Sequence, residues 1–219
     1  MSIGRNLQLA IVSVMLLACS SSPIVQGNQR YSFSEGSISV MDESGLCYMS
    51  LQGKVTAGMQ KSFKLALKDI NQRVCDEKIM ILTSHGGDMD VALEIGSQIR
   101  QAQFTTDMHG YCDSACAFLY IAGSKRLVHA SSNQNQECKL GVHQPTNEAI
   151  LCQCIDLTEG NPLVIRKIKN YFSKMLAKKS WEALYQELFT TSCKEISYLN
   201  TQFLLQNGIA TDLASSKYR

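Results

Sequence analysis

The chain has little proline, almost no surplus of charge and no internal repeat. Three prolines in 219 residues, with no low-complexity run, argue against long disordered linkers. The 21 basic and 19 acidic residues leave a net charge of +2, so no strong field attracts nucleic acid or an acidic substrate. We therefore expect no nucleic-acid partner. The length and the 45% hydrophobic content are those of one globular domain of moderate size.

A long hydrophobic run is also missing, and the apolar segment at the N-terminus is too short for a comfortable membrane span. Residues 7–17 are mainly apolar, follow Arg5 and lead into Ala18-Cys19. This pattern is typical of an export signal and looks like that of a bacterial lipoprotein. We expect residues 1–19 to be a signal peptide with a lipobox, Cys19 to be lipidated, and the protein to be an outer-membrane-anchored lipoprotein of the periplasm. Ordinary signal cleavage, which leaves a soluble secreted protein, is the alternative.

Cysteine is plentiful, and its count agrees with export. Besides Cys19 the chain has an even set of eight cysteines: Cys47, Cys75, Cys112, Cys116, Cys138, Cys152, Cys154 and Cys193. In an oxidising compartment we expect them to be largely paired as disulfides, in a pairing that the sequence leaves open. The close pairs 112/116 and 152/154 admit zinc as a rival interpretation, but no histidine lies nearby at zinc-finger spacing. We therefore expect no metal site and no cofactor.

Alternating strand and helix patterns begin at residue 46. Residues 20–45 are rich in serine, glycine and asparagine, and we expect a tether with one short strand near 37–41. Short apolar runs such as 78–83 predict buried parallel strands, and apolar stripes at helical spacing predict helices. The alternation predicts an α/β domain over 46–219, with a central, mostly parallel sheet and C-terminal helices.

Two loops of the predicted sheet carry small and polar residues at carboxyl ends of strands, where ligands bind in open α/β sheets. Ser114 follows one apolar strand and heads an apolar helix, and Gly86-Gly87 follows the preceding strand. A serine there can act as a nucleophile, with the N–H groups of Ala115 and Gly87 as oxyanion donors. Each feature also has an ordinary interpretation, because a serine before a helix is usually an N-cap and Gly-Gly is a common loop. Their order and spacing together favour acyl-transfer chemistry.

Histidine is scarce, which narrows the search for a general base. The chain has four histidines, at positions 85, 109, 129 and 143. A free imidazole titrates at about pH 6.5 and can accept a serine proton. His143 is the preferred base because it ends a strand in the same crevice. His85, beside the glycine turn, is the runner-up.

Three segments, in this order, resemble the proteolytic subunit of Clp protease. They are Ser84-His85-Gly86-Gly87, the run from Cys112 to Phe118 with Ala122-Gly123 and Arg126 after it, and Gly141-Val142-His143-Gln144-Pro145. That family has a Ser-Pro-Gly-Gly loop, a serine at a strand-to-helix turn, an Ala-Gly and basic stretch, and a His-Gln-Pro segment. The match covers residues 46–145 and extends weakly to 198–212, which resembles the family's closing helix and glycine turn.

The resemblance implies the Clp/crotonase spiral of stacked ββα units and assigns roles to four residues. Ser114 would be the nucleophile, His143 the general base, and the backbone N–H groups of Gly87 and Ala115 the oxyanion hole. Relatives that use a Ser-Lys pair point instead to Lys125, but the His-Gln-Pro match ranks that base lower.

The sequence also departs from the family's pattern. His85 replaces the loop proline, and the family's aspartate falls on Ile196. Glu195 is then the nearest acid that could orient His143. A misoriented imidazole lowers the rate by about 10⁴-fold, so this position matters for activity.

The resemblance and the export signal together predict an exported, ATP-independent serine peptidase that acts on peptides or unfolded segments through an acyl-enzyme. The Clp subunit works in the cytosol with an ATP-driven unfoldase, and the periplasm lacks ATP. We expect a peptide or protein substrate, and the family implies a homo-oligomer built through the later helices. A catalytically inactive Clp-like binding or assembly module of the cell envelope is the first alternative. A different acyl-transfer enzyme is the second.

Overall fold

A computed structural model describes residues 27–129, 139–147, 153–154 and 162–215. The elements run in the order β1 (Gln29–Phe33), β2 (Gly36–Glu43), β3 (Leu46–Gly53), α1 (Ala57–Ile70), β4 (Glu77–Ser84), α2 (Met89–Gln101), β5 (Thr105–Asp113), α3 (Ala115–Ile121), β6 (Lys125–Val128), β7 (Lys139–Val142), β8 (Thr146–Asn147), β9 (Gln153–Cys154), α4 (Pro162–Met175), α5 (Lys178–Thr190), β10 (Ser197–Leu199), α6 (Thr201–Gln206) and β11 (Asp212–Leu213). Strand and helix alternate from β3 to β6, as the sequence predicts.

The central sheet is mostly parallel and forks at β5. Its main path is β1-β2-β3-β4-β5-β6-β11, with the pairs from β3 to β11 parallel and the pairs among β1, β2 and β3 antiparallel. The beginning of β5 pairs with β6, whereas its end pairs with β7, which in turn pairs antiparallel with β10. This fork brings the carboxyl end of β5 between β4 and β7. The predicted α/β class with a mostly parallel central sheet is confirmed.

The core lies on one face of the sheet, where apolar side chains of neighbouring strands come level. Met80 and Leu82 of β4 are fully buried there, and they pair with Met49 and Leu51 of β3. In α1, Met59 and Phe63 form the buried stripe that the helical spacing predicts. The short helix α3 is buried at every position, so it is a fixed support for the residue that precedes it.

The segment expected as a tether contributes two strands in its described part. The short strand predicted near 37–41 lies within β2, which pairs with β3 along its whole length and buries Ile38 and Val40. The polar strand β1 pairs with β2 and has no apolar run of its own, which is why the sequence does not indicate it. The buried guanidinium of Arg73 adds a polar link, because it forms ion pairs with Asp42 on β2 and with Asp69 on α1.

Two disulfides have both of their cysteines among the described residues. Cys47 at the start of β3 is bonded to Cys75 in the loop before β4, and Cys112 is bonded to Cys116 across the turn from β5 to α3. Cys193 is also disulfide-bonded. Cys138, Cys152 and the side chain of Cys154 lie outside the described residues, as do residues 1–26 with the predicted signal and Cys19. Within the described ranges, no helix has the length and apolar character needed to cross a membrane.

Candidate active site

Ser114 stands alone between the end of β5 and the first residue of α3, in an unusual backbone conformation. Its φ of 54° and ψ of −119° fall outside the regions that a non-glycine residue ordinarily adopts. Its hydroxyl makes no capping hydrogen bond to α3, while its backbone N–H donates to the carbonyl of Gly141 at 2.8 Å. The usual role of a serine before a helix is therefore absent. Strain of this kind is concentrated at functional sites.

The disulfide Cys112–Cys116 brackets this turn and is completely buried. One sulfur belongs to the last residues of β5 and the other to the first turn of α3, so the covalent link closes a small loop around Ser114. Both ends of the turn are thereby fixed to the core. The disulfide and the hydrogen bond from Ser114 to Gly141 on β7 together hold the strained conformation of Ser114.

The glycine loop after β4 packs directly on the serine turn. Gly86 has a φ of +89°, and a Cβ placed on it would lie 2.6 Å from the carbonyl oxygen of Asp113 and 2.8 Å from the nitrogen of Ala115. Val55 fixes the loop from the other side, because it donates to the carbonyl of Gly86 and accepts from the N–H of Asp88, both at 2.8 Å. Only a glycine allows this close backbone approach.

The N–H groups of Gly87 and Ala115 have no acceptor among the described residues. Ala115 is the first residue of α3, whose N–H has no partner within the helix. Gly87 lies at the centre of an isolated bridge to Val55 in which the flanking residues, not Gly87 itself, make the hydrogen bonds. Neither N–H group is used within the described part of the chain, so both can donate to a ligand.

A cavity of about 410 Å³ opens between the two loops. This volume falls in the range of small-molecule sites. Two predicted site residues, Ser114 and Gly87, line it. The lining residues are Gly53, Lys54, Ser84, His85, Gly86, Gly87, Tyr111, Ser114 and Thr146.

The histidine that lines this cavity is His85, and it is paired with a carboxylate. Its Nδ1 lies 2.8 Å from Oδ2 of Asp113, whose side chain is fully buried. The imidazole also stacks on the ring of Tyr111, with centroids 3.7 Å apart and planes 7° from parallel. Because a carboxylate only accepts, Nδ1 carries the proton, and Nε2 remains as the basic nitrogen. The ring is 70% exposed, so its orientation depends on these two contacts.

An irregularity in β5 places Asp113 opposite His85. Leu82 of β4 pairs with Met108 of β5, whereas Ser84 pairs with Cys112. Two steps along β4 thus correspond to four steps along β5. The additional residues include Gly110 at a φ of +82°. Bulges of this kind occur often beside active sites, where they change the direction of a side chain. In a regular register the end of β5 would lie two residues further along, and Asp113 would not be level with the glycine loop.

Asp113 is a site residue that the sequence analysis missed, although it directly precedes Ser114. Its second oxygen, Oδ1, is buried and has no hydrogen-bond partner among the described residues. Space for the carboxylate exists only because residue 141 is a glycine, since a Cβ there would overlap Oδ1. The signal available in the sequence was an acidic residue between an apolar strand and the serine.

The structure places His143 beside this site but not in the cavity lining. Its Nδ1 lies 2.7 Å from the carbonyl oxygen of Gln144, and its ring makes no hydrogen bond to Ser114. Ser197 pairs with Val142, so continuing the antiparallel register by one residue places Ile196 opposite His143. The position at which the resemblance to Clp protease implies an aspartate is thus occupied by an apolar side chain.

The other two candidates for the base and its acid lie apart from the cavity. Glu195 is exposed, and its carboxylate has no hydrogen bond or ion pair with any described residue. Lys125 pairs with Thr105 at the beginning of β5, at the opposite end of the strand from Asp113. Neither of them lines the cavity.

The comparisons with known proteins identify a fold. No family model matches the chain, and no curated protein matches its sequence. Solved structures do match. An enoyl-CoA isomerase of Mycobacterium tuberculosis has a TM-score of 0.53 at 14% identity, over 81% of this chain and 76% of that one. A ClpP1 mutant from Listeria monocytogenes has a TM-score of 0.53 at 15% identity, over 78% and 92%.

A protein of Pseudomonas aeruginosa gives a TM-score of 0.55 at 10% identity, over 83% of this chain and 78% of that one. At these identities the likeness concerns the fold alone, and enoyl-CoA enzymes and ClpP1 match it equally well. The mostly parallel sheet and the flanking helices thus form a fold like that of these enoyl-CoA enzymes and ClpP1.

Proposed function

We propose that the protein is a Clp-like serine hydrolase that cleaves peptides or unfolded segments through an acyl-enzyme, without ATP. The observation that carries the proposal is the state of Ser114: a strained serine whose hydroxyl caps nothing and lines a cavity beside two unpaired N–H groups. A merely structural serine at a helix start would use its hydroxyl as a cap.

In the proposed reaction, Oγ of Ser114 attacks the carbonyl carbon of the substrate while a histidine removes the hydroxyl proton. The carbonyl oxygen becomes an oxyanion that the N–H groups of Gly87 and Ala115 bind. The same histidine then returns the proton to the leaving amine, and the C–N bond breaks to leave an acyl-serine ester. Water, activated by the histidine, hydrolyses that ester and regenerates the serine.

The geometry favours His85 as the base in place of His143. Both His85 and Ser114 line the cavity, and the buried carboxylate of Asp113 orients the ring with Nε2 free. A buried acid bonded to Nδ1 also stabilises the imidazolium that forms during the reaction. His143 has the backbone carbonyl of Gln144 at its Nδ1 instead. The hydroxyl of Ser114 has no hydrogen bond to either ring, and such contacts commonly tighten when the substrate binds.

The test is covalent labelling of the purified, oxidised protein with a fluorophosphonate probe. We expect labelling of wild type, none of Ser114→Ala, and strongly reduced labelling of His85→Ala. His143→Ala is the matched control, and it should retain labelling if His85 is the base. If labelling is reduced in His143→Ala and unchanged in His85→Ala, the base is His143, as the sequence predicts.

Absence of serine-dependent labelling in a protein that is folded and oxidised would refute the hydrolase proposal. That result would favour a non-catalytic binding or assembly module of the cell envelope. Export, lipid anchoring through Cys19 and assembly into a homo-oligomer are parts of the same proposal. Mass spectrometry of the mature N-terminus and sedimentation of the purified protein test them separately from the chemistry.

A further inference from the structure

Three potential metal ligands lie close together at the middle of β5, whereas the serine turn follows the end of that strand. Asp107 and His109 are two residues apart on β5, so their side chains project from the same face. His129 directly follows β6, the strand that pairs in parallel with the start of β5. None of the three lines the cavity at Ser114.

Both imidazoles point their Nε2 atoms at one carboxylate. His129 Nε2 lies 2.8 Å from Oδ1 of Asp107, and His109 Nε2 lies 3.5 Å from Oδ2. The two rings are nearly perpendicular, and one donor atom from each residue lies within 4.8 Å of the others. A tetrahedral zinc ion with bonds of about 2.0–2.1 Å needs donors about 3.3 Å apart. The two His–Asp separations, 2.8 and 3.5 Å, lie on either side of that value, and all three donors lie within 4.8 Å of one another.

Hydrogen bonds outside the cluster also hold it in place: the Asp107 carboxylate has an outer-shell donor of the kind found around metal ligands, and the backbones of both histidines are anchored. Asp107 is 1% exposed, and its Oδ1 accepts the N–H of Met108 at 2.8 Å. The carbonyl of His129 accepts from the hydroxyl of Thr201, and the carbonyl of His109 accepts from that of Thr83. The His109 side chain is half exposed, which leaves one side of the cluster open to a water or another ligand.

We propose that Asp107, His109 and His129 bind a divalent transition-metal ion of the zinc class, with three protein ligands and one open position. Two imidazoles and one carboxylate suit zinc or its neighbours in the first transition row, rather than magnesium or calcium, which prefer oxygen ligands. No sequence motif indicates this site, because its ligands are not cysteines and His129 is twenty positions from His109. A hydrogen-bonded His-Asp-His cluster without metal is the competing interpretation.

Equilibrium dialysis of the untagged protein against Zn²⁺, with elemental analysis of the bound metal, distinguishes the two. Free thiols are alkylated beforehand so that cysteines do not contribute. We expect one ion per chain. His109→Gln and His129→Gln should each weaken binding by more than the roughly 10–100-fold that follows loss of an outer-shell partner. His143→Gln, a histidine outside the cluster, is the matched control and should bind as wild type does.

Co²⁺ provides a second measurement that does not depend on stability. Coordination by the cluster should give visible absorption bands that are absent from His109→Gln, a variant of a half-exposed residue that is expected to fold. No stoichiometric zinc in wild type would overturn the proposal. Equal binding by His109→Gln and wild type, or equal loss in His143→Gln, would overturn it as well.

Discussion

The substitution Gly86→Ala tests how closely the glycine loop packs on the serine turn. A methyl group at this position would lie 2.6–2.8 Å from three atoms of the turn, where ordinary contacts begin at 3.4 Å. The loop or the turn must therefore move by roughly 0.6–0.8 Å, the difference between those distances. A misplacement of about 1 Å lowers a rate by about 10²-fold, so we expect serine labelling to slow by a comparable factor.

Gly110→Ala is the matched control for this change. Gly110 also has a left-handed φ, +82°, but a methyl group there would meet no atom within 4 Å. Both substitutions should lower the free energy of unfolding by about 1–2 kcal/mol, because a residue with a Cβ is disfavoured at a left-handed φ. Gly86→Ala should lower it by about 1–3 kcal/mol more, because its methyl group overlaps backbone atoms of the serine turn.

Two measurements decide the outcome: the rate of fluorophosphonate labelling and the free energy of unfolding in urea. We expect Gly110→Ala to label at nearly the wild-type rate and Gly86→Ala to label far more slowly. Equal unfolding free energies and equal labelling rates for the two variants would refute the packing described for the loop.

Three further predictions concern the same region and its supports. Asp113→Asn should slow labelling by about 10⁴-fold, because the amide no longer stabilises a protonated His85, and labelling within tenfold of wild type would contradict this role. Removing the Cys112–Cys116 disulfide should lower the free energy of unfolding by about 2 kcal/mol, and removing Cys47–Cys75, which closes a longer loop, should lower it by roughly 3.5 kcal/mol. Loss of Cys112–Cys116 should nevertheless slow labelling more than loss of Cys47–Cys75. The opposite order of labelling rates would contradict its role in holding the serine turn. Arg126→Met should lower the unfolding free energy by at least about 3 kcal/mol, because three backbone carbonyls lose a buried donor, and urea unfolding that changes by less than 1 kcal/mol would contradict it.

The sequence predicts much of the fold because its strands and helices have strong periodicity. The parallel run from β3 to β6 follows from apolar segments separated by amphipathic helices. The closing helix and glycine turn expected over 198–212 correspond to α6 and to Gly208, with Ile209 fully buried after it. The polar strand β1 is not predictable in this way, since only its pairing with β2 defines it.

The chemistry of the site is less accessible from the sequence. Ser114, Gly87 and Ala115 are recognisable because a turn between strand and helix is a local feature. The pairing of His85 with Asp113 is not local, and it depends on the irregular register between β4 and β5. A sequence pattern that assumes regular strands places the two residues at different levels of the sheet. The cluster of Asp107, His109 and His129 is not local either, because β5 and the end of β6 bring its ligands together.

The pairing of His85 with Asp113 also concerns how the site is distributed along the chain. His85 directly follows β4, Asp113 ends β5 and Ser114 comes next, so the proposed base, acid and nucleophile all lie in one segment from β4 to the turn after β5. A base at His143 would instead draw on β7, outside that segment. If the chemistry is contained in one unit, the later helices can change their surfaces, and with them the partners of the protein, without disturbing it.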